Sequence, residues 1–269
     1  MKKFLVLFFS IFICSIAHAD TETINWYVDG TSYATTTCQT GGDIILPNTP
    51  YKYGYTFQGW KEPFTRIEYL ESTGTQWIDT KYIPLISTNF DIGYMYTNGV
   101  GTISGQVLFG SRKESSDYPG FLLSSYNISY SEVLNSNSVP RNGYVRLGYG
   151  VSQATYSLTQ NASVFNTLKC DSYGYVFLNG NRVYNTPLTR NTPPDISLYM
   201  FALHTNQGIT DYAKGRIYHL KLYDNDTLVH DFIPVLDSQN IPCMYDKVSK
   251  TFFYNQGTGD FIAGPVINQ

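Results

Sequence analysis

The sequence predicts an all-β protein, a sandwich of two antiparallel sheets preceded by a small β unit, and three observations predict it. Tyr (24) and Phe (16) are abundant while charged residues make up only 14% of the chain, a balance that suits half-buried strands. Gly, Asn, Ser and Thr recur every several residues, as they do where short strands are joined by turns. No long stretch carries clean helical periodicity.

Residues 1–19 read as a secretory signal peptide: Lys2 and Lys3, an apolar run from Phe4 to Ile16, and small residues before Asp20. Cleavage is expected after Ala19. The apolar run falls short of the roughly 18 to 20 residues that span a bilayer, and no later segment reaches that length. The expected product is exported, to the cell surface, the medium or a periplasm, with no transmembrane segment after cleavage. Loss of Lys2 and Lys3 from the 18 basic residues leaves 16 against 21 acidic ones, a net charge of −5. That balance excludes nucleic acid as a partner, because no basic face is available to displace counterions from phosphates. Cys38, Cys170 and Cys243 remain in a compartment where disulfides persist. One bridge, Cys170 with Cys243, and one thiol left over is one arithmetic; three unpaired thiols is the other. Their spacing fits no zinc site.

Taken in order, residues 20–62 form the small unit. A strand is expected over 24–28, a turn at Gly41-Gly42, a strand over 43–46, a crossing framed by Pro47 and Pro50, and then Gly54-Tyr-Thr-Phe-Gln-Gly-Trp60. A unit of about 40 residues has little core, so Tyr55, Phe57 and Trp60 are expected to supply much of its packing. Lys61-Glu62-Pro63 is the joint to a larger unit over 63–269. There, strands are expected over 75–80, 90–96, 107–110, 120–124, 144–149, 196–201 and 251–254. The clearest hairpin is 173–178 and 181–184 around Asn179-Gly180, a pair that supplies the two positive-φ positions of a tight turn. A second joins 215–223 to 228–233 through Asp224-Asn-Asp-Thr227 and ends at Pro234, with Tyr218, Leu220 and Leu222 packing and His219 and Lys221 meeting water.

Gly41-Gly42, Pro47 with Pro50, and above all Gly54–Trp60 resemble the small β-grasp-like repeat of Listeria internalin B and other bacterial surface proteins. Asn25–Gly30 departs from that repeat's usual aromatic-Asp-Asn-Gly-Gly turn. The larger unit resembles a laminin G-like, concanavalin A-type jelly roll. The residues that carry this are Tyr69-Leu-Glu-Ser-Thr-Gly-Thr-Gln-Trp-Ile-Asp79, Phe109–Arg112, Val176–Gly180, Gly215–Tyr218, Lys221–Asp224, Met244–Asp246 and Gly257–Gly259. The two resemblances imply a spacer followed by an adhesin-like binding module for a glycan or a surface protein. The same fold also hosts glycosidases and passive assembly components, so function must come from a site.

The chain offers no recognisable catalytic constellation. The Glu-x-Asp-x-x-Glu strand of the fold's hydrolases is missing, and neither a Gly-x-Ser-x-Gly elbow nor a phosphate-cradling loop occurs. Glu68 with Glu71 and Asp224 with Asp226 read as solvated charge. His219 and His230 could approach across the second hairpin, with surface histidines as the plain alternative. Aromatic rings beside amides, hydroxyls and charged groups suit sugars. The candidate ligand contacts are Arg112 and Tyr118 in one loop and His204, Asn206, Asp211 and Tyr212 in another. No cofactor is implied; relatives of this sandwich often bind calcium, but no Asp can be assigned to it.

Overall fold

The computed structural model describes residues 3–8, 21–39, 44–97, 105–113, 120–126, 144–150, 156–159, 163–183, 187–188 and 193–267. Every regular element among them is a β-strand. The expected all-β class is what the chain adopts.

Thr21–Val28 and Thr31–Gln39 form an antiparallel hairpin. Asp29 (φ 51°) and Gly30 (φ 77°) make its turn, the two positive-φ residues that a tight hairpin needs. Thr31–Gln39 is a strand where none was expected. Residues 44–46, expected to be one, are irregular. The reason is local: Asp29-Gly30 closes the hairpin at once, and the Thr-rich run after it alternates half-buried and exposed positions. Ile24 and Trp26 are buried beneath Ala34, Cys38, Ile44 and Trp60. Trp60 meets Trp26 edge-on at 4.6 Å and Phe57 at 5.4 Å, so Trp60 packs as expected, with Trp26 at the centre. Tyr55 instead carries the Lys52 ammonium over its ring at 4.4 Å. Tyr55–Lys61 pairs in parallel with Lys3–Phe8.

The larger part is two sheets face to face. The longer has the strand order Asn181–Arg182, Val176–Leu178, Asn166–Cys170, Thr88–Tyr96, Lys214–Asp224, Thr227–Leu236, Pro242–Asp246, Thr251–Phe253. The other runs Tyr156–Thr159, Tyr144–Gly150, Gly120–Tyr126, Gln106–Arg112, Tyr199–Met200, Ile78–Asp79, with Leu203–Thr205 parallel to the end of Gln106–Arg112. Phe90 and Ile92 of the first sheet face Phe109 and Phe121 of the second, and the three phenylalanines contact one another at 5.0 to 5.9 Å between ring centres. Leu168, Leu220, Leu222, Phe232 and Met244 extend this core along the longer sheet.

Several expected features moved. Pro234 does not end its strand, which continues to Leu236. It falls where the neighbour changes from Lys214–Asp224, last paired at Phe232, to Thr65–Arg66, first paired at Val235. A proline there deprives no ladder of a donor. In Lys214–Asp224 a one-residue bulge at Tyr218 reverses the expected faces: Ile217 is buried, while Tyr218 turns outward against Tyr69 and Phe165.

Cys170 and Cys243 do not pair; both are free thiols. Cys170 belongs to the core between the sheets, and Cys243 to a cluster with Ile233, Val235 and Tyr245 on the opposite face. Their strands lie four steps apart, about 19 Å, far past the roughly 7 Å that a bridge tolerates. Burial pushes the Cys243 thiol up to about 12.

The motif around residues 71–79 closes the molecule. Gln76 is buried; its Oε1 accepts from Ser72 Oγ (3.1 Å) and the Thr73 amide (2.9 Å), and its Nε2 donates to the Asp260 carbonyl at 3.0 Å. Thr75 Oγ1 donates to the Thr258 carbonyl (2.8 Å). A Cβ on Gly257 would lie 2.0 Å from the Thr75 carbonyl oxygen, so only glycine lets the two segments approach this closely.

Candidate binding site

The outward face of the longer sheet is built by register. Because side chains alternate, the neighbours of the core residues point outward. Phe177 pairs with Lys169, Lys169 with Asp91, and Asp91 with Lys221, which in turn faces Asp231. Lys247 closes this row, its ammonium 3.2 Å from Asp231 Oδ2. The parallel row beside it runs Thr167, Gly93, His219. Where the two rows meet the Asn179-Gly180 hairpin, a groove of about 430 Å³ opens, lined by Asp91, Thr167, Lys169, Asp171, Phe177, Gly180 and His219.

Each wall has a local cause. The His219 ring lies across Gly93, where a Cβ would stand 2.8 Å from its Cε1 and Nδ1. Glycine therefore makes the seat on which His219 reaches Asp91, with Nε2 3.2 Å from Oδ1. Asp171 Oδ1 accepts the amides of Tyr173 (3.0 Å) and Tyr175 (2.8 Å), which fixes the bend before Phe177. Asn179 (φ 49°) and Gly180 (φ 78°) form the expected turn, and Asn179 Oδ1 accepts from the Thr167 amide at 2.8 Å. Tyr223, on the same face, has its phenol raised by burial and then by the charges of Asp91 and Asp231.

The arrangement combines a half-exposed aromatic ring with carboxylate, imidazole, hydroxyl and ammonium groups. It can accept and donate hydrogen bonds while covering an apolar face. Its volume falls within the range of about 300 to 1,000 Å³ usual for small-ligand sites.

The residues expected to touch ligand lie elsewhere. His204 is in the strand Leu203–Thr205, not in a loop, and stacks on Tyr199 at 3.9 Å and 4°, with Trp77 on the far face of Tyr199 at 4.5 Å. Its Nδ1 lies 2.7 Å from the Ser197 carbonyl, which only accepts, so Nδ1 carries the proton. Arg112 is the register neighbour of Thr205, and Asn206 is in the turn that follows. Asp211 and Tyr212 sit beside Val107, whose amide donates to the Asp211 carbonyl at 2.8 Å. Tyr118 lies outside the described residues. The five described members thus gather on the shorter sheet, and none lines the groove.

His219 and His230 do not meet. His230 stacks on Phe232 and reaches Asp246 (Nδ1 to Oδ2, 2.8 Å), on the core side of the sheet. Glu71 is paired with Arg216 at 2.5 Å, and Asp224 accepts from Tyr82 Oη at 2.6 Å, so neither is merely solvated charge. Among the described residues no group of three or more His, Cys, Asp or Glu is placed to hold a metal ion.

Of the groove residues, the sequence marks His219 as a candidate for chemistry and Phe177 and Gly180 only as parts of a hairpin. Gly93, Asp91 and Lys169 carry no motif; their meeting depends on strand order. The one available signal was Asn179-Gly180, which marks a hairpin and hence a rim.

No family model and no curated protein matches the chain. Among solved structures it is similar to a protein of Bacteroides ovatus ATCC 8483 described as a putative carbohydrate binding protein. The TM-score is 0.44 at 11% identity, over 93% of this chain and 70% of that one. At that distance the likeness assigns no site residue. No helix among the described residues is long and apolar enough to cross a membrane.

Proposed function

We propose that this chain is an exported, non-catalytic carbohydrate-binding protein whose sandwich holds the sugar and whose N-terminal unit serves as a spacer. The observation that carries the reading is the groove itself. Phe177 offers a ring to the C–H face of a sugar, while Asp91, His219, Thr167 and Lys169 surround it with groups that pair with hydroxyls. The Asp91–His219 contact supports preorganisation, since each fixes the other before any ligand arrives. The adhesin-like role, the surface location, the internalin-type repeat and the laminin G-like ancestry belong to this proposal and rest on sequence motifs and the leader.

Hydrolysis is a second reading, favoured by one observation: two carboxylates, Asp91 and Asp171, line the same groove. Against it, Asp171 already holds a turn through the Tyr173 and Tyr175 amides.

A glycan array followed by calorimetry tests both. Wild type is expected to bind a defined set of glycans without releasing reducing sugar. Asp91→Ala and Phe177→Ala should each weaken binding at least about tenfold, the loss of one good polar or stacking contact. An array silent for the wild type sinks the proposal; reducing-sugar release that Asp91→Asn abolishes would replace it with hydrolysis.

A further inference from the structure

The groove has a neighbour on the same face. A second depression, of about 180 Å³, is lined by Glu62, Pro63, Phe64, Arg66, Ile233, Tyr245 and Lys247. Both depressions lie on the two register rows already described. The charged row starts at Phe177 and Lys169 in the groove and ends at Lys247 in the second depression. The row of Thr167, Gly93 and His219 continues on the next strand at Ile233, one position on from the Leu220–Phe232 pair, and then to Tyr245 and Phe252. His219 of the groove and Ile233 of the second depression each lie one position past the last paired residues, Leu220 and Phe232, of two adjacent strands.

We infer that the two depressions are one track that binds an extended neutral polysaccharide chain, laid across the strands from the Phe177 rim to the Phe64 joint. This rests on the carbohydrate reading above and names the ligand's form. The track crosses six strands, from Val176–Leu178 to Pro242–Asp246, or about 24 Å at ordinary strand spacing. That is the length of a short oligosaccharide and too long for a single ring.

Its two rows differ in kind, and the difference matches such a chain. One row is apolar and aromatic, from Ile233 through Tyr245 to Phe252, with Phe64 packed on Tyr245 at 4.5 Å. The other alternates in sign, Lys169, Asp91, Lys221, Asp231, Lys247, so three ammonium groups against two carboxylates leave a net charge of only +1, too small a field to favour a polyanion.

The test is affinity electrophoresis in xyloglucan, mixed-linkage β-glucan, galactomannan, arabinoxylan and soluble starch. Calorimetry then follows with the mono- through hexasaccharide fragments of whichever glycan retards the protein. Affinity is expected to climb at least about tenfold from disaccharide to hexasaccharide, one to two added contacts' worth. Phe64→Ala and Lys247→Ala, at the far end, should remove that climb, whereas Phe177→Ala should weaken every length. Phe64→Leu, which keeps the apolar packing, guards against a folding defect; each variant's melting curve is compared with wild type. If the disaccharide binds as tightly as the hexasaccharide, or Lys247→Ala leaves the climb intact, the track is wrong and the single groove stands. If no neutral glycan retards the protein, both fall; capture of a protein partner alone, with no glycan bound, has the same meaning.

Discussion

Asp246 shows how one buried side chain can hold several elements. Its Oδ1 accepts the amides of Asp231 (2.8 Å) and Val248 (3.1 Å), and its Oδ2 accepts from Ser249 (3.1 Å) and His230 (2.8 Å). Burial pushes its carboxyl up, yet the hydrogen bonds from His230, Ser249 and Asp231 outweigh this and hold it at about 2, below the ordinary 3.8. A carboxyl whose folded value is depressed stabilises the fold fully above its unfolded value and loses that contribution as pH falls toward the folded one. Stability is therefore expected to decline between about pH 5 and pH 2, with roughly 2 kcal/mol traceable to this residue. Asp246→Ala should flatten that part of the curve and cost about 3 kcal/mol or more at neutral pH, since it orphans buried donors. Urea titrations of both proteins across this range measure it. Nothing in Met244-Tyr245-Asp246 announces such a role: the Val248 and Ser249 amides belong to the local turn, but His230 and Asp231 come from a neighbouring strand that only folding brings to it.

Among elements, hairpins were the most legible. Asn179-Gly180 is legible because its turn chemistry is local: both residues adopt positive φ whatever the rest of the chain does. Asn179→Ala is expected to destabilise the protein by about 1 to 2 kcal/mol through the left-handed backbone alone. It also removes the contacts to Thr167 and Asn166 (2.8 and 3.0 Å) and so loosens the groove rim. Chemical denaturation gives the first effect and glycan affinity the second. An unchanged midpoint would show that the turn is not under this constraint.

The bulge at Tyr218 shows the opposite case. Strict alternation pointed Tyr218 inward, but the core accepts Ile217, and one extra residue reverses the pattern on its N-terminal side. The strand Asn166–Cys170 is not legible in the sequence, because five residues of mixed type leave little periodic signal, although it is paired on both sides.

At the scale of the whole molecule the buried residues fall into separate groups. Ile24 and Trp26 form one, with the half-buried Trp60 packed against them, while the sandwich core runs from Ile67 to Phe261. A fragment beginning at Glu62 keeps Phe64 and the Thr65–Arg66 strand that completes the sandwich. It is expected to fold alone, with a melting transition within a few degrees of the longer chain's main one and with its glycan affinity retained. Differential scanning calorimetry of residues 62–269 beside residues 20–269 checks this. Loss of the cooperative transition would show that the N-terminal unit is part of the same folding unit.

The all-β class, the two clear hairpin turns and the packing role of Trp60 were determined by the sequence by itself, because each depends on composition or on residues within a few positions of one another. The tertiary structure alone decided that Cys170 and Cys243 stand on opposite faces, that His219 leans over Gly93 to Asp91, and that Lys169, Asp91, Lys221, Asp231 and Lys247 share one row. Those facts follow from strand order and register, which are set by long-range pairing and by single-residue bulges. A one-position slip turns every side chain of a strand to the other face, so no local pattern could have placed the groove.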